Sequence, residues 1–311
     1  TTLVRAEKWE GETMELRVLQ YFLAVAREQS ISGAAESLHL SQPTLSRQLK
    51  ELEEELGKQL MIRGSRRITL TEEGMLLRKR AEEILDLVHK TESEIIDSDE
   101  TIAGDVCIGG GETDGIRLLA RAARALHRQY PQIQYHLISG DAPIVTEQLD
   151  KGLIDFGVLI GTPDLSKYDS IPLPARDVWG VLMPRDCPLA QKESISREDL
   201  WDKPLILSRQ KGAELTHWLH RNTNQLNIVA TYNLLYNASL LVDEGLGYAL
   251  TLDKLINTTG SRLCFRPLSP SLDIGMYLVW KKYQVFSKAA DKFLEVLQEL
   301  PEFSRQTAAH E

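Results

Sequence analysis

The chain has 311 residues, more than one hydrophobic core usually organises, and its apolar content suffices for two. No apolar run approaches the roughly 18 residues of a membrane span, and residues 1–13 carry charges where a leader peptide would be apolar, so a cytoplasmic location without membrane attachment is expected. The net charge of −9 averages over domains, and only the local distribution decides where a phosphate backbone can sit.

Residues 1–13 precede Met14, match no pattern that follows, and are set aside as an expression-derived or mis-started extension. Residues 14–70 carry a net charge of about +1, and the stretch from Leu56 to Thr71 holds Lys58, Arg63, Arg66 and Arg67 without an acid. Leu16, Leu19, Phe22 and Ala26 recur at helical spacing and predict a first helix. Ile31 to Leu38, with the small Ala34 and Ala35, predicts a short second helix that lets another pack closely.

A third helix follows a three-residue turn, with Leu45, Leu49, Leu52 and Leu56 as one buried stripe. Ser41 caps it, Pro43 lies in its first turn, and Gly57 stands where a left-handed C-cap is wanted. Gln42, Thr44, Ser46, Arg47 and Lys50 then face away from the core. Leu60–Arg63 and Arg66–Leu70 flank Gly64-Ser65 and read as a hairpin with a tight turn and arginines near its tip, a wing.

Thr71 caps a long helix in which Leu77, Ala81, Ile84, Val88, Thr91 and Ile95 alternate steps of four and three, the seam of a coiled coil between two copies. From Gly104 the pattern becomes βαβαβ: strands at 105–108, 133–138 and 155–160, helices at 116–128 and 144–151. A second set follows Pro172 and Pro174, with strands at 178–183, 204–207, 228–232 and 248–252 and helices through Trp218 and from Asn237 to Glu244. A strand at 274–279 and a helix at 287–300 close the chain. The domains expected are 14–73 for DNA binding, 74–103 for the linker helix and hinge, and 104–311 for a two-lobed α/β domain, with lobe I at about 104–172 and 268–311 and lobe II at about 173–267.

Val18 to Gly74, with AAESLHLSQPTLSRQ, LEEELGKQLMIR and LTEEG, resembles the DNA-binding domain of LysR-type regulators over nearly sixty residues without a gap; Met61 stands where phenylalanine is usual. KGLIDFGVLI and VDEGLGYALT are looser landmarks of the same family further on. The resemblance implies a winged helix-turn-helix on a long linker helix, followed by a two-lobed domain with the fold of type 2 periplasmic binding proteins. It also implies a homodimer, often a homotetramer, that is not an enzyme and carries no cofactor or metal. The expected partners are double-stranded DNA, a small-molecule effector and a second copy of the chain, with RNA polymerase a further candidate.

Gln42, Pro43, Thr44, Ser46 and Arg47 are then the major-groove candidates, Lys50 a phosphate contact, Arg66 or Arg67 a minor-groove contact, and Ser41 a further DNA-binding candidate. Arg63 belongs to the same basic face, with an alternative reading as an ion pair with Glu51–Glu55. Effector candidates are Thr113, Asp114, Ser139, Ile160 and Ser208, at or just past predicted strand ends. Glu112 and Asp114 add negative charge there, which weakens the case for a strongly anionic effector.

Three other readings compete. Gly109, Gly111 and Gly115 give GxGxxxG rather than the dinucleotide-binding GxGxxG, and the acids at the helix start would repel a pyrophosphate. Ser208 to Lys211 spells SxxK without the motifs that accompany it in acylating enzymes, and His217 with His220 is a pair without further ligands. A periplasmic solute-binding protein fits the lobes but not the N-terminal helices. Cys107, Cys187 and Cys264 are too scattered for a disulfide framework or a zinc site.

Overall fold

The computed structural model describes residues 14–64, 67–96, 102–209, 212–220 and 225–303. The chain divides into two compact units, Thr1–Ile95 and Ile96–Glu311.

The first unit begins with α1 (Leu16–Glu28), α2 (Ile31–Ser37) and α3 (Gln42–Leu56), followed by β1 (Met61–Arg63), β2 (Ile68–Leu70) and α4 (Glu72–Ile96). Gln29 turns left-handed and ends α1, and the Ser30 hydroxyl accepts the Gly33 N–H to start α2. Phe22 and Val25 of α1, Ala34 and Ala35 of α2, and Leu45, Leu49 and Leu52 of α3 share one buried core. Leu56, predicted to extend that stripe, is exposed, because Gly57 ends the helix before a neighbour covers its last turn. Met61 fills its core position.

The hairpin is anchored from both sides. The Glu53 carboxylate accepts the N–H groups of Leu60 and Met61 at 2.7 and 3.1 Å, and the Gln29 carbonyl accepts the Ile68 N–H at 2.8 Å. Arg63 pairs with Ile68 and the Gly64 N–H donates to the Arg67 carbonyl at 3.1 Å, so the strands end at Arg63 and Ile68 instead of flanking a two-residue turn at Gly64-Ser65. The reason lies in the strands: only three residues on each side find ladder partners. Thr71 caps α4 through Gly74 N–H at 3.0 Å and donates to the Gln59 carbonyl at 2.8 Å.

In the second unit β3 (Gly104–Gly110), α5 (Ile116–Gln129), β4 (Ile133–Ser139), α6 (Ala142–Asp150) and β5 (Phe156–Ile160) form the βαβαβ unit, with β3 parallel to both β4 and β5. Next come β6 (Tyr168–Pro184), β7 (Ile195–Ser196), β8 (Leu205–Ser208), α7 (Gly212–Leu219), β9 (Ile228–Tyr232), α8 (Leu235–Asp243) and β10 (Tyr248–Leu252). β11 (Leu263–Ser269), β12 (Asp273–Lys281) and α9 (Lys288–Gln298) complete the described residues' main elements.

The break expected at Pro172 and Pro174 is not a break. β6 runs unbroken for 17 residues. Its first part pairs with β12 alone, and its last part with β10 and β11. On an edge a proline costs the ladder nothing, because its missing N–H faces the unpaired side. β11, absent from the sequence expectation, lies along β6, its pattern obscured by Arg266 and Pro267.

One sheet therefore has the order β4-β3-β5-β12-β6 and the other β6-β10-β8-β9, with β6 common to both. Phe156, Phe293, Leu126 and Ile133 fill the first lobe's core, and Val181, Leu205, Leu207 and Leu215 fill one face of the second.

Gly74 is where α4 meets the hairpin: a Cβ there would lie 2.0 Å from the Leu60 carbonyl oxygen. Backbone cannot yield as a flexible side chain does. Gly74→Ala is expected to cost about 2 kcal/mol or more, read as a lowered midpoint in urea unfolding; an unchanged midpoint would show that α4 can shift freely there.

Candidate functional site

α3 presents its first turns to solvent. The Ser41 hydroxyl accepts the Thr44 N–H at 3.3 Å and lies 2.7 Å from the Thr44 hydroxyl, so the cap positions both groups. Gln42, Pro43, Thr44, Arg47 and Lys50 are exposed and Ser46 is half-buried. Arg47 lies 3.7 Å from Glu51 and Lys50 3.1 Å from Glu54, each one helical turn on. Exposed pairs of this kind contribute only about 0.3–0.5 kcal/mol, so a phosphate can displace either acid cheaply.

Arg63 and Arg67 are exposed on the hairpin, and Arg66 lies outside the described residues. Among the described residues no ion pair joins Arg63 to Glu51–Glu55. Glu53 is instead committed to the backbone of Leu60 and Met61. The alternative reading of Arg63 as a structural partner of that cluster is therefore corrected.

Along α4 the residues of the expected seam divide. Leu77 packs against the helix-turn-helix core and Ala81 is fully buried, so these two face their own chain. Val88 is half-buried, Ile84 is exposed, and Ile95 is 77% exposed. Met75, Leu76 and Leu87 add further exposed apolar surface that the four-three spacing did not include.

In the second unit a cavity of ≈ 80 Å³ lies between the lobes. Its lining includes Ile160 at the end of β5 and Ser208 at the end of β8, together with Glu112, Trp179, Glu214, Tyr232 and Thr251. The other three effector candidates lie elsewhere. Thr113, 7% exposed, donates its hydroxyl to Asp177 at 2.5 Å and accepts the Gly115 N–H at 3.0 Å. Asp114 pairs with Arg117 at 2.5 Å. Ser139 is exposed at the end of β4, the outer strand of its sheet.

At this cavity, side-chain hydrogen bonds among the described residues join elements of the two lobes. The Glu112 carboxylate, from the turn after β3, accepts the Leu235 N–H at the start of α8. The Thr162 hydroxyl, just past β5, donates to the Glu214 carboxylate of α7 at 2.8 Å. Tyr232 donates its hydroxyl to the Leu250 carbonyl at 2.7 Å, and burial pushes its phenol above the ordinary range. Trp179 is 5% exposed and its indole N–H has no partner among the described residues. Sequence reasoning missed Trp179, Tyr232 and Glu214: the first two look like ordinary strand residues, and only folding brings α7 to the cavity.

The glycines of the GxGxxxG turn serve the protein's own packing. A Cβ on Gly109 would lie 2.7 Å from Ile154 Cδ1, and one on Gly115 2.0 Å from the Met276 sulfur. The rings of His217 and His220 lie 5.4 Å apart, and no cluster of three or more metal-ligating side chains occurs among the described residues.

Residues 16–75 match the family described as bacterial regulatory helix-turn-helix protein, lysR family, and residues 99–301 match the LysR substrate binding domain. The chain belongs to the LysR family of transcriptional regulators. The hydrogen peroxide-inducible genes activator of Pectobacterium carotovorum subsp. carotovorum is 32% identical over 194 residues, which are 62% of this chain and 64% of that protein. The chain thus spans just under two thirds of that relative's length. The HTH-type transcriptional regulator BsdA of Bacillus subtilis (strain 168) is 32% identical over 245 residues, 76% of this chain and 83% of that protein.

Among solved structures, full-length CbnR complexed with its target DNA superposes with a TM-score of 0.72 at 20% identity, over 92% of this chain and 99% of CbnR, and shows the shared fold. A full-length OxyR variant from Pseudomonas aeruginosa gives a TM-score of 0.54 at 25% identity, over 92% of this chain and 100% of OxyR. No helix among the described residues is long and apolar enough to cross a membrane.

Asp177, 5% exposed, has its carboxyl pushed above the ordinary value of 3.8, chiefly by burial and further by Asp114 and Asp253, against the hydrogen bond from Thr113 and the charge of Lys254. The folded state therefore holds this proton more tightly than the unfolded chain does. Stability contributed by the protonated form is present below the unfolded value and is lost as pH rises through the folded one. Asp177→Asn, which keeps an acceptor for Thr113, is expected to flatten the fall in melting temperature between about pH 4 and pH 7. An unchanged slope would show that Asp177 is as comfortable ionised in the fold as in water.

Proposed function

We propose that the protein is a ligand-controlled DNA-binding regulator. α3 enters the major groove, the β1–β2 hairpin lies along the neighbouring minor groove, and a small effector seated between the lobes of the second unit sets the DNA-binding state. The observation that carries this reading is the outward row of Gln42, Thr44, Arg47 and Lys50 on a helix whose start is fixed by Ser41 and whose opposite face buries Leu45, Leu49 and Leu52. The family match over residues 16–75 supports it, as does the CbnR structure with its target DNA. Ile160 and Ser208 support the cleft, since ligands of open α/β sheets sit beyond the carboxyl ends of strands.

Arg47→Ala, and separately the double change Arg66→Ala with Arg67→Ala, are expected to lower operator affinity on the order of tenfold or more without lowering the melting temperature. Each neutralised phosphate adds roughly −0.9 to the slope of log affinity against log salt, so binding weakens steeply as salt rises. Gel-shift titration at several salt concentrations checks both, and affinity indifferent to the substitutions and to salt would refute the DNA-reading assignment.

We propose further that α4 pairs with a second copy through its outward apolar residues, Ile84, Val88 and Ile95, rather than through Leu77 and Ala81. A single apolar stripe on a 25-residue helix is stabilised by a partner that covers it. Ile84→Glu with Val88→Glu is expected to yield monomers in sedimentation and to weaken DNA binding, because two half-sites can no longer be held together. An unchanged oligomer would place the interface elsewhere.

A further inference from the structure

Beside the interlobe cavity lies a larger one, of ≈ 490 Å³, to which the reading of the first as the effector site gives no role. Leu235, Thr251, Leu252 and Leu255 line both. The second cavity extends instead to Leu182 of β6, Phe265 of β11 and the segment from Asp253 to Thr259 that follows β10. The first lobe contributes Arg117 of α5 to the same lining.

The two cavities differ in charge. Glu112 and Glu214 line the first, without a lysine, arginine or histidine among the described residues. Arg117 and Lys254 line the second, with Asp253 its only acid among the described residues. Asp253 is already engaged: its carboxylate accepts the Lys254 N–H at 2.7 Å, in a turn where Lys254 has a left-handed backbone with φ 65°.

The two cations are placed by different means. Asp114 holds Arg117 through Nε at 2.5 Å, which orients the guanidinium and leaves its Nη groups to donate elsewhere. The Lys254 ammonium has no ion-pair or hydrogen-bond partner among the described residues. Its charge and that of Asp114 both act on the buried Asp177 carboxyl, so Lys254 and the Arg117–Asp114 pair surround one point where the lobes meet. Neutral donors complete the lining: the Asn257 side-chain oxygen accepts the Thr259 N–H at 3.0 Å, so its amide nitrogen keeps both N–H groups, and Thr258 and Thr259 bring hydroxyls.

We propose that this cavity is a second ligand site, which takes a compact oxyanion, phosphate or carboxylate, between Arg117 of the first lobe and Lys254 of the second. A single exposed cation binds an anion weakly, whereas a guanidinium already held in place offers two parallel donors to one oxyanion group. The apolar Leu182, Leu252 and Phe265 leave room for a short carbon body on the same molecule. Because its two cations come from different lobes, an anion held by both joins the lobes where no backbone does.

The test uses the full chain in a phosphate-free buffer, with inorganic phosphate and glycerol 3-phosphate in one arm, malonate and succinate in the other, and ethanolamine as the cationic control, read by calorimetry and thermal shift. At least one anion is expected to raise the melting temperature and to bind about tenfold or more weakly to Arg117→Gln and to Lys254→Gln. Ser208→Ala, in the neighbouring cavity, is expected to leave that binding unchanged. Success in either arm supports the site, and the arm that succeeds names the group it takes.

Anion binding lost in Ser208→Ala and kept in Arg117→Gln and Lys254→Gln would overturn the second site while leaving the first cavity as the effector site. Binding weakened equally by Lys282→Gln, on the loop after β12, would reduce it to an adventitious ion only and overturn the proposal. So would silence from both arms, or ethanolamine binding as well as the anions do. None of these outcomes bears on DNA binding, which is read separately by gel shift.

Discussion

The second unit is organised by a strand that cannot belong to one lobe alone. β6 gives its first part to β12 and its last part to β10 and β11, so its backbone hydrogen bonds are divided between two sheets. Once that strand is placed, the carboxyl ends of β5 and β8 are brought to a common cavity, and Trp179, at the point where β6 changes partners, becomes part of its wall. β12 then inserts between β5 and β6, antiparallel to both, and α9 returns to the first lobe's core with Phe293 against Phe156. The cavity is thus a consequence of topology, and its two strand ends are where an open α/β sheet is expected to leave room.

The first unit depends on a different economy. Three short helices and a three-residue hairpin bury too little to hold an exposed reading helix rigidly by hydrophobic burial alone. Glu53 resolves this by accepting two N–H groups of the hairpin entry from the back of α3, and Thr71 and Gly74 lock α4 against the same backbone. The acids beside the basic face therefore serve two purposes: Glu53 is structural, whereas Glu51 and Glu54 form weak exposed pairs with Arg47 and Lys50.

Much of this was legible in the sequence, and the reasons differ by region. The caps Ser41 and Thr71, the leucine stripe and Gly57 are local signals, so the helix-turn-helix could be read element by element. The seam of α4 was legible only in part: periodicity identifies an apolar face but not which part of it the same chain covers, and Leu77 and Ala81 turned inward. Pro172 and Pro174 were misread because a proline signals a break unless its strand is an edge, and edges are a property of the sheet. Strand ends gave Ile160 and Ser208. Glu214 reaches the cavity from a helix 52 residues along the chain from Thr162, its hydrogen-bond partner, which no spacing rule reports.

The hydrogen bonds across the cleft determine what a ligand has to do. Glu112 to Leu235 and Thr162 to Glu214 each join the lobes through one exchangeable contact, while β6 joins them through continuous backbone. Any change in lobe separation must bend β6 and β12 near Gly275, where the pairing register already shifts, and must lengthen or break those two bonds. A ligand alters that balance only by the difference between its contacts in the two arrangements. A guest that touches both Ile160, at the end of β5, and Ser208, at the end of β8, contacts one lobe and the other at once. Its binding energy is therefore coupled to separation, whereas a molecule confined to one lobe would fill space without shifting the equilibrium.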